Sequence, residues 1–343
     1  MARIVMADDG IAFDGLSAAA GPLGGAETAF AALAEALAAR GHRVAARSRC
    51  ERRLTHQGVA WAPLADGFPD SCDLYIANRG HRLIGLIRRA ARRLLWLHNP
   101  ARYLQKPRVL WPLARWRPAL VVSGAYHAGT VPKWLPHGGV EIVPYGILDP
   151  FQRAGERVPP LPCAIFTSNP LRGLDWLLDL WRTRIRPAVP EAELHVYGGP
   201  AVYGGGAAKQ AGPISAVLAR AAAMPETGVR VYPPLGRAAL PDALAAARVM
   251  LYRGDPGETF CLAVAEAQAM GVPAVVQPLG SLGERVVDGV SGRVAVSDGE
   301  FAEAAIAALR DDDLWRRWHL GALEHQRGLS WDAVAARFEA LIG

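Results

Sequence analysis

Two glutamates stand eight residues apart in the run GETFCLAVAEAQAMGVP: Glu258 near its start and Glu266 in its middle. The residues around Glu266 are small or apolar, and a glutamate is rarely buried in such company without a partner. A carboxylate can accept from two hydroxyls at once, so a vicinal diol such as a ribose is a natural partner. Upstream, MLYRGDPGETFC reads as a strand, a tight turn through Pro256 and Gly257, and a helix start with Thr259 as N-cap. In that frame the amides of Phe260, Cys261 and Leu262 point out of the helix end, and with the helix dipole they form a site suited to phosphates. Glu258 lies just before the helix and Glu266 about two turns further in, with Ala263, Ala267 and Met270 on its face. A carboxylate for a sugar, amides for a diphosphate and a carboxylate for a ribose together have the shape of a nucleotide sugar. The competing reading is a surface helix with Glu266 solvated; the apolar neighbours on both sides weigh against it.

Such a turn needs a sheet behind it, and the chain supplies two. In the first half, RIVMA, RVAAR, CDLYIAN, RLLWLHN, ALVVSG and VEIVPYG read as strands, and GAETAFAALAEALAARGH as a helix ending at Gly41. Strands spaced by helical segments indicate parallel βαβ units. DPFQRAGERVPPLP, Asp149 to Pro162, is rich in Pro and charge and reads as a linker. The pattern then restarts with CAIFTSN, AELHVYGG, VRVYPPLG, MLYRG, PAVVQP and GRVAV as strands. The expected fold class is therefore α/β, with two Rossmann-like domains of parallel strands facing each other across a cleft. The expected domains are 1–148, 149–325 and a terminal helix in 326–343 packing back toward the first. Ligands in such sheets sit beyond the carboxyl ends of the strands.

Bulk properties narrow the functional class. The chain has 343 residues and a net charge of +6. It holds no apolar run of about 18 residues, and MARIVMADDG is unlike a signal peptide, so a cytoplasmic location is expected. Cys50, Cys72, Cys163 and Cys261 are scattered, which argues for buried thiols rather than zinc or disulfides. No Asp-x-Asp pair stands at a strand end, Asp8 and Asp9 being adjacent, and no essential metal is expected.

The ordered motifs resemble those of the retaining glycosyltransferases of family 4, which have the GT-B fold. Glu258 and Glu266 match that family's Glu-x7-Glu signature. AMGVPAVV and PLGSLGERVVDGVSGRVA look like its Gly-Gly-x-x-Glu and Asp-Gly-x-x-Gly run, and LHVYGGP is similar to its strand ending in Gly-x-Gly-Pro. VEIVPYGILDPF looks like its interdomain element, with Tyr145 in place of the usual Asn, and SWDAVAARFEALIG is similar to its terminal helix. The resemblance implies transfer of a sugar, with retention, from a nucleotide-diphosphate sugar that is the donor substrate; no cofactor is implied. Glu258 would bind the donor sugar's hydroxyls without becoming a covalent nucleophile. Gly24 and Gly25 in GPLGGAET would let the backbone approach the diphosphate or sugar; an ordinary strand-to-helix turn is the alternative. His98 would contact the transferring sugar, though a lone histidine is as often a hydrogen-bonded core residue. In FTSNPLRGLD, Arg172 takes the place of the family's phosphate-binding Lys, while its earlier Arg has no match. Backbone near Gly198 and Leu235 would meet the base.

One surface remains. Residues 74–140 contain no acid, so one region carries a strong positive field. Arg82, Arg88, Arg89, Arg92 and Arg93 fall on one side of a helix drawn through 82–94, opposite Leu83, Ile84 and Ile87. A solvated basic face explains this as well as membrane contact does. Among anionic targets, a lipid surface is favoured because tryptophans are interleaved. That places the protein peripherally at the inner face of a membrane, acting on a glycan or lipid-linked acceptor. A polyanionic acceptor follows, and nucleic acid is disfavoured for want of a recognised module. The functional alternatives are a non-catalytic nucleotide-sugar-binding or peripheral membrane protein of the same fold, and a Rossmann oxidoreductase. The missing Gly-x-Gly-x-x-Gly argues against the last.

Overall fold

The computed structural model describes residues 1–342 apart from 22, 200–206 and 327, and of 207–210 only the backbone. The chain divides into two compact units. One takes Met1–Ala20, Gly24–Gly146 and Leu329–Gly343; the other takes Gly21–Leu23 and Ile147–Gly328.

The first unit holds β1 (Arg3–Asp8), β2 (Arg43–Ser48), β3 (Leu54–His56), β4 (Val59–Pro63), β5 (Ser71–Asn78), β6 (Arg89–Trp96), β7 (Ala119–Val122) and β8 (Val140–Ile142). They form one sheet in the order β3-β4-β2-β1-β5-β6-β7-β8, parallel except for β3 against β4. Ile4–Ala7, Leu74–Ala77 and Leu94–Trp96 are buried, because helices cover both faces of a parallel sheet and its strands become continuous apolar runs. The chain order reverses at β1, which lies between β2 and β5. The crossovers therefore diverge there and open a crevice beyond the carboxyl ends of β1 and β5.

One expectation for this unit fails, and one element was not foreseen. The helix through 82–94 does not form. Residues 81–88 are turns, and Arg89–Trp96 are strand, paired in register with β5 from Ser71↔Arg89 to Asn78↔Trp96. The basic residues of that window therefore part company. Arg93 is buried, donating to the carbonyls of Ile84 and Ile87 (2.6 Å for the latter) and lying 4.6 Å over the Trp116 ring. Arg92 pairs with Glu141 at 3.4 Å. Arg82, Arg88 and Arg89 stay exposed. Tertiary pairing of LLWL into a sheet with two partner strands outweighs the local helical pattern. The unforeseen element is the hairpin β3–β4. Its turn is Gln57-Gly58, both at positive φ (47° and 76°), the conformation of a two-residue hairpin loop.

The last helix, Trp331–Glu339, is N-capped by Ser330 Oγ, which accepts from the Ala333 amide at 3.1 Å. It packs on the helix Gly25–Ala39, where Arg40 bridges Asp332 and Glu339. Trp331 covers Gly146, where an added Cβ would lie 2.6 Å from the indole Cδ2.

The second unit holds β9 (Cys163–Phe166), β10 (Glu193–Tyr197), β11 (Val229–Tyr232), β12 (Val249–Tyr252), β13 (Ala274–Val276) and β14 (Gly292–Val294), all parallel, in the order β11-β10-β9-β12-β13-β14. The reversal falls at β9, between β10 and β12, so this unit's crevice lies beyond β9 and β12. The segment read as a linker begins with a helical turn, Asp149–Gln152, which buries Phe151 completely and packs against the helix Leu262–Ala269. An aromatic inside a charged, Pro-rich run is what ties it down.

Candidate active site

The loop after β9 and the loop after β12 meet at the second unit's crevice. After β9 the chain turns through Asn169, whose carbonyl accepts from the Arg172 amide at 2.8 Å. Gly173 follows at φ +93°, and a Cβ there would come within 2.7 Å of the Arg253 Cβ. That glycine lets the two loops touch, and Arg172 then bonds the Glu258 carboxylate through Nη1. The Tyr252 hydroxyl, from the end of β12, donates to the same carboxylate oxygen. Glu258 is thus buried but doubly held. Burial pulls the Arg172 guanidinium down, but Glu258 beside it more than offsets that and the net direction is upward. Burial pushes the Tyr252 phenol far up, with the nearby Cys261 and Glu258 adding to it.

The turn carrying Glu258 is fixed from above. Asp255 Oδ1 accepts from the Gly257 amide at 2.7 Å, and the Glu258 carbonyl accepts from Ser281 N at 3.0 Å. Gly280 (φ +62°) lies so close that a Cβ would sit 2.5 Å from the Glu258 carbonyl oxygen.

The helix begins later than the sequence suggests. Thr259 is not its cap: the helix is Leu262–Ala269, preceded by Cys261 at φ +63°. Phe260 is driven into the core, with the Arg285 guanidinium 4.4 Å above its ring. The chain must recover from that excursion before it can coil, and the left-handed Cys261 is where it does so. The helix-end amides are therefore those of Leu262, Ala263 and Val264, with the Val264 amide hydrogen-bonded to the Cys261 thiol. Of the amides expected at the phosphate site, Leu262 belongs to the helix end; those of Phe260 and Cys261 precede it.

Glu266 is 3% exposed. Its partner within the chain is Arg237, whose Nη1 bonds Oε1. Arg237 comes from the segment between β11 and the helix Leu240–Ala246, two residues after Leu235. Burial raises the Glu266 carboxyl, and Arg237 holds it part of the way back. Gly198 follows β10 and abuts Pro170 of the β9 loop, at 3.2 Å from an added Cβ. Arg172, Gly198, Leu235, Glu258, Leu262 and Glu266 are thus collected along one edge of one sheet. Pro200, in the LHVYGGP motif, lies outside the described residues.

The first unit carries a second polar network. Asp8, at the end of β1 and fully buried, accepts from Asn78 Nδ2 at 2.6 Å and pairs with Arg79 at 2.9 Å; Arg79 also pairs with Glu27 at 2.6 Å. Asn78 therefore turns its carbonyl to His98, so His98 Nε2 carries the proton and Nδ1 accepts from the Tyr145 hydroxyl. Burial, then Arg79 and His127, hold His98 well below its ordinary range, and it is neutral. Gly24 precedes the helix Gly25–Ala39 with φ −62°, and its carbonyl accepts from the Thr28 amide at 2.9 Å. The sequence reading missed Arg237, Tyr252, Asn78 and Arg79. Only Tyr252 was within reach of a local signal, as the last residue of the strand that delivers Glu258.

Residues 163–311 match the family of glycosyl transferases group 1. The D-inositol 3-phosphate glycosyltransferase of Kribbella flavida is 34% identical over 31% of this chain and 25% of its own length. That of Thermomonospora curvata is 38% identical over 32% and 26%. The chain thus matches about a quarter of the length of these curated relatives. Among solved structures, the sucrose-phosphate synthase of Thermosynechococcus elongatus superposes over 99% of this chain and 98% of that one, with a TM-score of 0.71 at 17% identity. The Anabaena Alr3699/HepE structure with UDP-glucose covers 99% of both chains with a TM-score of 0.71 at 14% identity. The chain therefore carries a glycosyl transferases group 1 domain over residues 163–311 and has the GT-B fold.

Proposed function

We propose that this protein is a family 4 glycosyltransferase that moves a sugar, with retention, from a nucleoside-diphosphate sugar to a lipid-linked or cell-envelope glycan acceptor, without a metal. The observation that carries the reading is the pair of buried carboxylates, Glu258 and Glu266, flanking the start of one helix at the crevice of the second unit's sheet. The roles follow from chemistry. Glu266 takes the ribose hydroxyls, the Leu262 and Ala263 amides face the diphosphate, and Arg172 neutralises charge as it develops on the β-phosphate. A guanidinium has N–H groups to share between Glu258 and a phosphate oxygen. Glu258 orients the sugar. Its charge is already committed to Arg172 and Tyr252, which makes it a poor nucleophile and supports front-face transfer. The C–O bond breaks toward the diphosphate, and the acceptor's proton goes to the departing phosphate oxygen. His98, Gly24 and Gly25 are the first unit's candidates for contact with the sugar. Metal independence is supported by Asp8, the residue nearest a metal motif, being spent on Arg79 and Asn78.

A thermal-shift screen of nucleoside-diphosphate sugars comes first, since a bound ligand raises melting in proportion to occupancy. NMR of the product formed from the stabilising donor then reads the anomer. The proposal expects retained configuration and undiminished turnover with chelator. Inversion of configuration overturns retention, and binding without turnover in any acceptor extract leaves a non-catalytic nucleotide-sugar protein.

An anionic membrane, met from the cytoplasmic side, is the proposed partner surface. No helix among the described residues is long and apolar enough to cross a bilayer. The supporting residues are on the helix Pro107–Trp116 rather than in 82–94: Trp111 is 69% exposed beside exposed Arg108 and Arg115. Trp134, 61% exposed, belongs to the next crossover on the same sheet face. Co-sedimentation with phosphatidylglycerol vesicles is expected to fall at least fivefold at 0.5 M salt and in Trp111→Ala/Arg115→Ala. Equal binding to neutral vesicles removes the membrane from the proposal.

A further inference from the structure

A second guanidinium stands near the start of the helix Leu262–Ala269, and the chain gives it no counterion. Arg285 ends the short helix Leu282–Arg285, and its Cζ lies 4.4 Å over the ring of Phe260. It falls between the two glycine motifs of PLGSLGERVVDGVSGRVA, at a position neither of them specifies. Only part of Arg285 reaches solvent, and its Nε is buried with no acceptor. Among the described residues no carboxylate comes within ion-pair distance of it. Burial pulls the guanidinium below its ordinary range, with Glu284 and Cys261 acting the other way. Burial, then Glu258, hold Cys261 well above its ordinary range against the pull of Arg172 and Arg285, so it stays a neutral thiol. His325 is held below its ordinary range by burial and then by Arg285, and adds no negative charge. A guanidinium does not shed its proton to escape such surroundings, and an aromatic ring offsets only part of the cost.

The position is rigid. Gln326 Nε2 donates to the Arg285 carbonyl at 3.3 Å and to Gln268 Oε1 at 3.0 Å. Gln268, inside the helix Leu262–Ala269, donates to the Ser291 carbonyl at 3.1 Å. The backbone under Arg285 is thus tied to the helix whose first amides are free. On its other side Leu282 is wedged against Gly254, where an added Cβ would collide with the Leu282 Cδ1. Arg172 and Arg285 both act on Cys261, the residue just before that helix, so an anion at the helix start meets two guanidiniums. We propose that Arg285 is a second cation of the donor site and binds the β-phosphate of the nucleoside diphosphate. This rests on the reading of the helix end as the seat of the diphosphate. The β-phosphate is chosen because Phe260 lies between Glu258, assigned to the sugar, and the helix amides. The empty protein carries an uncompensated charge, and the bound diphosphate supplies its counterion where little water screens the pair. A group that costs the empty fold and serves the ligand is the usual mark of function.

The test is calorimetric titration of the full-length protein with inorganic pyrophosphate and the mono- and diphosphates of uridine, guanosine and adenosine. Melting of the ligand-free protein is measured alongside. Arg285→Met removes the charge and keeps a long side chain on the Phe260 ring. In it, affinity for pyrophosphate and for the best diphosphate is expected to fall about tenfold or more, and for the matching monophosphate less than about threefold. Arg285→Lys is expected to recover much of the difference. The ligand-free Arg285→Met protein is expected to melt no earlier than wild type, since exchanging an unpaired buried charge for an apolar chain is neutral or stabilising. A merely structural guanidinium gives the reverse, earlier melting with the diphosphate-to-monophosphate ratio unchanged, and that overturns the proposal. So does an equal loss for both nucleotides. If Arg285→Met does not fold, the same ratio in Arg285→Gln decides. Wild type that binds no diphosphate removes the helix end as its seat and this inference with it. Wild type that binds diphosphate, with the ratio kept in Arg285→Met, removes Arg285 alone.

Discussion

Glu258→Gln is expected to lower the rate of sugar transfer by about 10²–10³-fold while changing the donor KM by less than about threefold. The substitution keeps shape and removes charge. In the native chain the Glu258 carboxylate accepts from both Arg172 and Tyr252. A glutamine oxygen can still accept from either, so the turn under Gly280 survives. The loss of stability is about 1 kcal/mol, roughly 2–4 °C in melting for a unit of this size. The Arg172 side chain is 35% exposed, so water softens the loss of its partner. The transfer step has no such cushion. A neutral amide holds sugar hydroxyls less tightly, and Arg172, released from its carboxylate, no longer has a fixed bearing on the leaving phosphate. Ground-state binding persists through Glu266 and the helix-end amides, which is why the effect falls on kcat. An unchanged kcat in a folded variant would remove Glu258 from the reaction.

The architecture was legible where apolar runs were long. Every strand of the second sheet was expected from its sequence, because parallel strands buried on both faces announce themselves. The first sheet was harder at its margins. A short edge hairpin, Leu54–Pro63, has strands of only three and five residues and turns on Gln57-Gly58 rather than a stronger signal. The arginines of 88–93 resembled a helix face because sequence spacing cannot report the neighbouring strands that claimed them. At the site, the two glutamates stood out because a charge inside an alanine-rich run demands an explanation. Their partners did not. Arg237 is 29 residues from Glu266, and Asn78 is 20 from His98. No local rule joins such pairs; only the crossing of sheet connections does. Thr259 was misread for a related reason. Its side chain type suits a cap, but burial of Phe260 decides where the helix can begin.

Arg237→Ala gives the other large effect, and its pH dependence separates two roles for Glu266. In the native chain burial raises the Glu266 carboxyl and Arg237 restrains that rise. Without the cation the group goes higher still, toward neutrality. Two consequences follow with opposite signs. Donor binding uses the charged form, so the variant's KM is expected to exceed wild type about tenfold or more just above the ordinary carboxylate range, the gap closing as pH rises through the raised value. Glu266→Ala, which lacks the carboxylate, is expected to raise KM by about 10²-fold at every pH, the loss of two charge-assisted hydrogen bonds. Stability runs the other way. A carboxyl whose folded pKa lies above its unfolded one contributes fully below the unfolded value and loses that contribution as pH rises through the folded one. The Arg237→Ala protein should therefore melt progressively earlier, relative to wild type, as pH rises from the ordinary carboxylate range through the raised value, the same interval in which its donor binding recovers. If the melting trend appears while KM stays flat with pH, Glu266 is a buried structural carboxylate and the ribose is held by something else. If both trends appear, one titrating group lies in the core and at the ligand, which is what a carboxylate 3% exposed on the helix Leu262–Ala269 would have to be.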